Sequence, residues 1–382
     1  MNELNFYNLF EHYLIILFIF YFLFVVFLLR GILRINKISI PNNLKSSVIV
    51  PFRNEEKFLR RCVNSLLSQN FERERFEIIL VDDNSTDGSV NSVSDLINSK
   101  NVRLIKLDNG NGKKKAIEAG IHHSNNEIII TTDADCYHHK NWLKSLIETF
   151  DNKTGFVAGK VVYSKTENLF EEFQKIEFAS LVSIGAAFIG NKFPLLANGA
   201  SCAYRKDLFF RVGGFTDNLN LVSGDEEFLM QKIFLETEYE IKFCAMNNAV
   251  VFTEPIKSIS KFINQRKRWV SKVPFYKNKT LLPVLLILFL FYFSLTFSVI
   301  FIVFNPELSK TIFTIFVLKN FIDFIFMVKG YHLLELSENK FELLKLMLLF
   351  PIAEIFHLIY ITVVPLLSLL KGFDWKGRKF RR

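Results

Sequence analysis

The stretch Ser47–Ser89 reads SVIVPFRNEEKFLRRCVNSLLSQNFERERFEIILVDDNSTDGS and decides the fold of the central part of the chain. Its first apolar run, Ser47–Pro51, predicts a buried strand. Residues 56–69 carry apolar side chains at helical spacing, and Phe76–Val81 predicts a second strand. Strand, helix and strand in this order are typical of a parallel sheet with helices on both faces. The stretch therefore predicts an α/β domain.

The same alternation continues downstream of this stretch. Val102–Lys106 and Glu127–Thr131 predict further strands, and Lys114–His122 predicts a helix between them. In a sheet of this kind, ligands bind beyond the carboxyl ends of the strands. Polar clusters follow three of the predicted strands, at Val50–Glu55, Val81–Ser89 and Thr131–Cys136. We therefore expect these three loops to form one site.

The composition indicates a chain that is partly soluble and partly embedded in a membrane. Its 382 residues are 50% hydrophobic and include 43 phenylalanines, yet 22% are charged and the net charge is +9. A disordered chain or a small disulfide-rich protein would have another composition. The cysteines lack the short CxxC spacing of zinc sites, so we expect reduced thiols in the cytosol at Cys62, Cys136, Cys202 and Cys244.

Long apolar runs predict membrane helices on both sides of the α/β domain. We expect an N-terminal anchor within residues 1–45, with a span at about 13–33. The C-terminal membrane region, residues 273–382, contains segments at about 281–304, 311–328 and 346–370, the last interrupted by prolines, and ends in a basic tail. The segment 311–328 contains Lys319 and Asp323. Such a segment either packs inside a helix bundle or lies at the membrane interface.

Basic residues predict how the chain is oriented. Lys and Arg flank residues 46–272 on both sides, and the tail KGFDWKGRKFRR is also basic. The positive-inside rule therefore places the central domain and the tail in the cytoplasm. This requires an even number of crossings after the domain. Segment 311–328 is the first candidate not to cross, with Lys319 and Asp323 at the water boundary. Otherwise all three segments cross, the tail violates the rule, and these two residues are buried between helices.

Two carboxylates follow the fourth predicted strand. Asp133 and Asp135 are separated by one residue. Hard cations such as Mg²⁺ or Mn²⁺ are held by one or two carboxylates, with phosphate oxygens and water completing the shell. Other ligand classes fit the sequence poorly. Counting from Asp83, Ser94 stands where an EF-hand requires Glu, and the NGKKKA segment lacks the upstream Gly and the Ser/Thr of a P-loop.

Seven motifs occur in a fixed order between Ser46 and Lys272: SVIVPFRNE, LVDDNSTDGS, the GK of GNGKKKAIEAG, TTDADC, NGASCAYRKDLFFRVGGF, SGDEEFL and QRKRW. In this order they resemble glycosyltransferase family 2 with a GT-A fold. The resemblance is to the membrane-bound branch that includes cellulose, chitin and hyaluronan synthases and bacterial lipid-linked sugar transferases. It implies a Rossmann-like nucleotide-diphospho-sugar transferase domain over residues 46–272, ending in an interfacial QxxRW region and flanked by transmembrane helices.

The resemblance also implies which residues bind the donor. The nucleoside pocket would be lined by Pro51, Glu55, Asp83 and Asp87, with Asp82 as an alternative to Asp83. The lysine of the GK motif falls on Lys113 and would lie near the diphosphate, although two further lysines follow it. Asp133 would contact nucleotide and metal, and Asp135 is the better candidate for direct metal contact.

Two further motifs imply the catalytic base and the acceptor site. Gly224-Asp225-Glu226 replaces the GDD or TED motif of the family, so its second carboxylate is longer by one methylene. Alignment of the following leucine puts Glu226 at the position of the base, with Asp225 as the alternative. QRKRW matches QxxRW, and its Gln265, Arg268 and Trp269 would contact the acceptor sugar and the diphosphate.

The implied activity is an inverting, metal-dependent transfer of a sugar from a UDP- or GDP-sugar to a lipid-linked or saccharide acceptor. The implied location is a bacterial cytoplasmic membrane, and a homo-oligomer is compatible with it. A processive polysaccharide synthase is the alternative, which QxxRW favours and the small number of membrane segments disfavours. The pI of 9.2 also suggests a nucleic-acid binder. However, the basic residues concentrate beside the membrane segments, so we expect no nucleic-acid partner.

Overall fold

The computed structural model describes residues 3–97, 101–107, 112–216, 224–276, 279, 281–370, 372–375 and 378–380. The described chain divides into two units. The sheet unit is Leu33–Pro255, and the helix unit is Met1–Ile32 together with Ile256–Arg382. The QxxRW segment, which the sequence analysis placed with the α/β domain, belongs to the helix unit. Lys277, one of the predicted basic flanking residues, lies outside the described residues.

The sheet unit contains ten described strands: β1 (Ser46–Phe52), β2 (Phe76–Asp82), β3 (Val102–Lys106), β4 (Ile128–Thr131), β5 (Tyr137–His138), β6 (Thr154–Ala158), β7 (Lys160–Tyr163), β8 (Cys202–Arg205), β9 (Glu240–Phe243) and β10 (Val250–Thr253). Seven of them form one sheet in the order β3-β2-β1-β4-β8-β6-β9, and β5-β10-β7 form a smaller one. The four predicted strands are therefore confirmed, each to within one residue.

The prediction of a parallel sheet is correct for the main sheet except at one strand, β8, since β6 and β9 also pair in parallel. Strands β1 to β4 pair in parallel, as expected. Strand β8 runs antiparallel to both β4 and β6, so the sheet is mixed. Strands β2 and β4 are buried almost throughout, and every residue of β1 is buried. This agrees with its continuous apolar sequence.

Helices cover the sheets of this unit: α2 (Leu59–Leu67), α3 (Lys113–His123), α4 (Trp142–Glu148), α5 (Leu169–Gly190), α6 (Lys206–Arg211) and α7 (Asp225–Glu236). Helix α2 is shorter than the predicted 56–69, because the chain before it forms a turn in which Glu55 O accepts from the amides of Phe58 and Leu59. Single 3-10 turns lie at Arg73–Arg75 and Asn91–Val93. All four cysteines are buried free thiols.

The helix unit contains α1 (Glu3–Leu33), α8 (Ile259–Val270), α9 (Leu281–Phe304), α10 (Leu308–Leu333) and α11 (Lys340–Leu370), with 3-10 turns at Val273–Phe275 and Leu336–Glu338 and two tail strands, β11 (Phe373–Trp375) and β12 (Arg378–Phe380). Helix α9 has the predicted bounds, and the other predicted segments lie inside longer helices. The two prolines of α11 lie within the helix and do not end it.

Five described helices are long and apolar enough to cross a membrane by length and composition. Four belong to the helix unit, namely α1, α9, α10 and α11. The fifth, α5, has a lower mean hydropathy of 1.2 and belongs to the sheet unit, with 67% of its most apolar window buried. Its sequence also buries charged residues such as Glu171 and Lys175. We therefore regard α5 as a core helix and the other four as candidate membrane spans.

Two charged residues of α10, Lys319 and Asp323, are buried inside the helix unit. Lys319 is 0% exposed and pairs with Asp323 at 2.9 Å and with Glu354 of α11. Tyr21 of α1 donates to both oxygens of Asp323 at 2.7 Å and lies 3.1 Å from the hydroxyl of Tyr292 in α9. Lys319 and Asp323 are therefore buried instead of exposed to water, and whether α10 crosses the membrane stays a prediction. They pack between helices, which is the other arrangement that the sequence allowed.

The start of the basic tail lies beside α8. The Lys267 amine donates to the Gly372 carbonyl at 2.6 Å, and the rings of Phe262 and Tyr360 are 5.8 Å apart. Because α8 follows the sheet unit directly, we expect a cysteine label beside Arg378 to react from the same side of the membrane as one beside Lys45, which requires that only two of the helices α9, α10 and α11 cross. Labelling of intact and opened cells with a membrane-impermeant maleimide measures this. Reaction of the Arg378 label from the opposite side would contradict it.

Candidate active site

The loops that follow β1 and β2 are joined by hydrogen bonds between neighbouring strand ends. The amide of Glu55 donates to Ser89 Oγ at 2.7 Å, and the amide of Glu56 donates to Asp87 Oδ2 at 3.2 Å. Pro51 lies opposite Val81 in the parallel register. The structure therefore brings the predicted nucleoside residues Pro51, Glu55 and Asp87 into one pair of loops. Asp87 itself is exposed and supports the loop through its carboxylate.

The two aspartates at the end of β2 have different surroundings. Both are buried, at 5% exposure for Asp82 and 3% for Asp83. Asp82 Oδ1 accepts from the amide of Ser85 at 2.9 Å and so closes its own turn. Asp83 Oδ1 accepts from the amide of Gly112 at 3.0 Å, immediately before Lys113. Asp83 is therefore the residue that connects the β2 loop to the loop of the GK motif.

Lys113 lies between the carboxylates of two motifs. Its amine pairs with Asp133 Oδ1 at 2.6 Å. Although burial lowers the pKa of Lys113, Asp133, Glu226 and Asp225 together raise it above the ordinary value of a lysine. The amine is therefore protonated throughout the physiological range. A fixed positive charge at this position can neutralise a phosphate or stabilise a neighbouring carboxylate.

The loop that carries Asp133 and Asp135 is held from behind by a buried histidine. His138 accepts or donates at both ring nitrogens, with Ser65 Oγ at 2.8 Å and Thr132 Oγ1 at 2.7 Å. Burial lowers the pKa of His138 to about 3, so the ring is neutral. Arg61 also reaches this loop through a 3.5 Å contact with the Asp135 carbonyl. The sequence analysis did not identify either supporting residue.

The two aspartates form a small acidic site. Both lie close enough to the buried thiols of Cys62 and Cys136 to raise the pKa of each, in addition to the effect of burial. Among the residues that the structure describes, no group of three or more His, Cys, Asp or Glu side chains is arranged to hold a metal ion. Asp133 and Asp135 can therefore supply two oxygen ligands, and a cation here would need further ligands from a bound molecule.

The start of α7 carries the predicted catalytic base. Gly224 caps the helix in the left-handed conformation, with φ of 85°, which glycine adopts without strain. Asp225, Glu226 and Glu227 follow in the first helical turn and are all buried. Backbone amides at a helix N-terminus stabilise negative charge there. The sequence thus folds so that three carboxylates enter the interior at a favourable helix end.

Glu226 has the surroundings of a group that exchanges protons near neutral pH. Glu226 is 3% exposed, and its Oε1 has no hydrogen-bond partner. Burial raises the pKa of Glu226 to about 7, with Lys113 opposing the rise and Asp225 and Asp133 adding to it. Asp225 lies instead 3.6 Å from the Lys114 amine. Lys114 is the second lysine of the GK motif, so Lys113 and Lys114 each lie near one of the two buried carboxylates.

The QxxRW residues lie on α8 in the helix unit. Arg266, the residue after Gln265, is 1% exposed. Its guanidinium stacks on the rings of Phe262 at 4.3 Å and Trp269 at 4.2 Å and donates to the Gln265 side chain. One face of Trp269 is therefore covered by Arg266. The predicted roles of Gln265, Arg268 and Trp269 toward an acceptor stay predictions.

The chain matches known proteins over the part that builds this site. The family model of glycosyl transferase family 2 matches residues 47–211. The chain is 29% identical over 150 residues to the dolichyl N-acetyl-alpha-D-glucosaminyl phosphate 3-beta-D-2,3-diacetamido-2,3-dideoxy-beta-D-glucuronosyltransferase of Methanococcus voltae, covering 37% of this chain and 46% of that one. It is 27% identical over 286 residues to the probable glycosyltransferase YdaM of Bacillus subtilis (strain 168), covering 71% of this chain and 66% of the relative.

A solved structure shares the fold. The mannosyltransferase PcManGT from Pyrobaculum calidifontis, in complex with GDP-Man and Mn²⁺, superposes with a TM-score of 0.57 at 14% identity, covering 94% of this chain and 99% of that one. This similarity shows a GT-A fold with its parallel-rich sheet. Since the family model covers β1 to β4, β8 and the loops that carry Asp83, Lys113 and Asp133, residues 47–211 contain a glycosyltransferase family 2 domain.

Proposed function

We propose that this protein transfers a single sugar from a nucleotide sugar to a lipid-linked acceptor at a membrane, with inversion at the anomeric carbon. The observation that carries the proposal is the buried Glu226 carboxylate, whose Oε1 has no hydrogen-bond partner and which lies beside the Lys113–Asp133 ion pair. A proton acceptor and a positive charge next to a DxD loop are the groups that such a transfer requires.

Glu226 acts as the general base. It takes the proton of the acceptor hydroxyl while that oxygen attacks the anomeric carbon, and the bond from this carbon to the diphosphate oxygen breaks with its electron pair. One displacement of this kind inverts the anomeric carbon. The departing diphosphate gains negative charge, which Lys113 offsets from its place beside Asp133. Asp225 remains with Lys114 and stabilises the start of α7.

The donor lies along the strand ends. The nucleoside loops carry Glu55, Asp83 and Asp87. The Asp83–Gly112 hydrogen bond connects them to Lys113, the residue after Gly112. The solved mannosyltransferase holds GDP-Man in its complex. We therefore expect a UDP- or GDP-sugar donor, with its diphosphate next to Lys113 and the DxD loop.

Mg²⁺ or Mn²⁺ fits the donor set of this loop. Asp133 and Asp135 offer hard carboxylate oxygens, and the diphosphate would complete the shell, a combination typical of Mg²⁺ sites with substrate phosphates. A bound cation would supply charge neutralisation for the leaving diphosphate. Asp135 is the better ligand, because Asp133 already pairs with Lys113 at 2.6 Å.

Two observations favour a lipid-linked acceptor, namely the candidate membrane helices and the name of one relative. Four helices of the helix unit are long and apolar enough to span a bilayer. The name of the Methanococcus relative describes a dolichyl-linked sugar phosphate as its acceptor. We therefore expect a polyprenyl-linked acceptor, a cytoplasmic site and a bacterial cytoplasmic membrane. A polysaccharide synthase would instead release a chain that grows over many turnovers.

Donor screening tests the proposal. The full-length protein in detergent is incubated with labelled UDP- and GDP-sugars, Mn²⁺ and bacterial lipid extract, and the label is counted in the organic phase. We expect one donor to label lipid, with one sugar per acceptor. A Glu226→Gln protein is the matched control. No transfer from any donor by folded protein, or transfer only into long polymer, would contradict the proposal.

The acidity of Glu226 predicts a pH profile. Only the deprotonated carboxylate can accept a proton, and burial raises the pKa of Glu226 to about 7. We therefore expect kcat/KM to rise with pH, falling roughly tenfold per unit below about pH 7. Initial rates from pH 5.5 to 8.5 measure this at saturating metal. A flat profile across this range would contradict the assignment of Glu226 as the base.

A further inference from the structure

Gly199 of the NGAS motif lies directly against Glu226. A Cβ atom built at Gly199 would overlap Glu226 Oε2, and it would lie 3.0 Å from Glu226 Cδ and 3.4 Å from the Lys113 amine. All three atoms belong to side chains of the proposed site. The motif was recognised in the sequence without a role for its glycine.

The backbone does not require glycine at this position. The described glycines with positive φ are Gly112, Gly213, Gly214 and Gly224. Gly199 is not among them, so any L-residue can adopt its backbone conformation. What Gly199 provides is the space that a side chain would occupy. This space is filled by the carboxylate of Glu226.

The turn that carries Gly199 is fixed by its neighbours. The amide of Ala200 donates to Asn198 Oδ1 and the amide of Ser201 donates to the Asn198 carbonyl, both at 3.0 Å. The buried indole of Trp142 donates to Ser201 Oγ at 2.9 Å. Strand β8 follows immediately and is paired on both sides. The turn therefore cannot move away from Glu226 without breaking these bonds.

We propose that Gly199 is a positioning residue, matched in size to the long carboxylate of Glu226, which holds that carboxylate beside Lys113. The inference rests on the proposed function, because it concerns the geometry of its base. The family resemblance implies a shorter aspartate at this position in GDD motifs. The extra methylene of Glu226 brings its carboxylate into the space over the turn, and glycine leaves that space open.

A double-mutant cycle tests the pair. In the wild-type background, Gly199→Ala displaces the carboxylate, and we expect kcat to fall roughly 10²-fold, as for a misplacement of about 1 Å, with an unchanged donor KM. Glu226→Asp shortens the side chain and restores the space. We expect Gly199→Ala to lower kcat less than about threefold in the Glu226→Asp background, so that the two effects are not additive.

A spectroscopic readout separates this inference from the proposed function. The infrared band of the Glu226 carboxyl group is identified by subtracting the spectrum of Glu226→Gln, and we expect Gly199→Ala to shift it. This measurement needs no turnover. An inactive wild-type protein would contradict the proposed function, and the infrared band would still test whether Gly199 positions the Glu226 carboxylate. An unshifted band would overturn the positioning claim, and so would equal kcat losses from Gly199→Ala in both backgrounds.

Gly155→Ala is the matched control. A Cβ at Gly155 would lie 2.7 Å from Tyr239 Cβ and 2.8 Å from Leu208 Cδ1, both in the core and away from the proposed site. We expect this variant to melt at a lower temperature, with the Glu226 band and the kcat of the folded fraction unchanged. An equal band shift in Gly155→Ala would overturn the inference, because the shift would then report general strain.

Discussion

Glu226→Gln is expected to lower turnover by about 10²- to 10⁴-fold, the contribution of a positioned proton acceptor, with donor affinity within about twofold of the wild type. Glutamine has the same size as glutamate, so it retains the packing against Gly199 and Lys113. It cannot accept the proton of the acceptor hydroxyl. Single-turnover kinetics with a labelled donor measure the chemical step, and equilibrium binding of the free nucleotide measures affinity.

Asp225→Asn is the control for this assignment. Asp225 lies in the same helical turn and is equally buried, but it faces the Lys114 amine at 3.6 Å. We expect Asp225→Asn to lower stability, since it leaves the buried Lys114 without its carboxylate, and to retain more turnover than Glu226→Gln. An inactive Asp225→Asn protein that still binds donor, with an active Glu226→Gln protein, would make Asp225 the base.

Asp135→Asn is expected to remove most activity, by roughly 10²-fold or more, and to weaken Mn²⁺ binding without unfolding the protein. A metal at a leaving phosphate contributes several kcal/mol of charge stabilisation, and each 1.4 kcal/mol is about a factor of ten. Electron paramagnetic resonance of Mn²⁺ in the presence of free nucleoside diphosphate measures binding apart from turnover. EDTA should inactivate the wild type, and added Mn²⁺ should restore it.

Asp133→Asn gives the comparison. Asp133 pairs with Lys113, so its loss removes a metal ligand and also releases the lysine next to Glu226. We expect Asp133→Asn to weaken metal binding and also to change the pH dependence of kcat/KM. The residual activity of Asp135→Asn should keep the pH dependence of the wild type. Full turnover of either variant in EDTA would show that the metal hypothesis is wrong.

Local sequence patterns predict the part of the fold whose elements follow one another directly along the chain. Strands β1 to β4 and helix α3 follow one another within residues 46–131, and their apolar runs and intervening loops specify them without distant information. The converging polar loops followed from the rule that parallel strands end at one edge. This rule indicates Asp83 and Asp133, whereas Lys113 follows from the family resemblance, and the structure connects the three loops.

The remaining features depend on contacts between distant segments. Strand β8 pairs with β4 across more than 70 residues, and nothing in its own four residues indicates an antiparallel direction. The proximity of Gly199 to Glu226 arises only when this strand and α7 are packed. Lys319 is a similar case. The sequence shows a charged residue in an apolar segment, and only the structure shows that Asp323 and Glu354 neutralise its charge.

The Tyr21–Asp323 hydrogen bond has a consequence for biogenesis. Its two partners are 302 residues apart, so α1 is made long before the carboxylate that it binds. At about 5–20 residues per second, the interval is roughly 15–60 s. During this time Tyr21 lacks its partner Asp323. Likewise, Lys319 enters without Glu354, although a charge at the centre of a helix costs about 2.5–3.5 kcal/mol on insertion. Helices α10 and α11 should therefore insert as a pair. A nascent chain that stops before α10 would contain α1 without the Asp323 that Tyr21 binds, and we expect cellular quality control to recognise it.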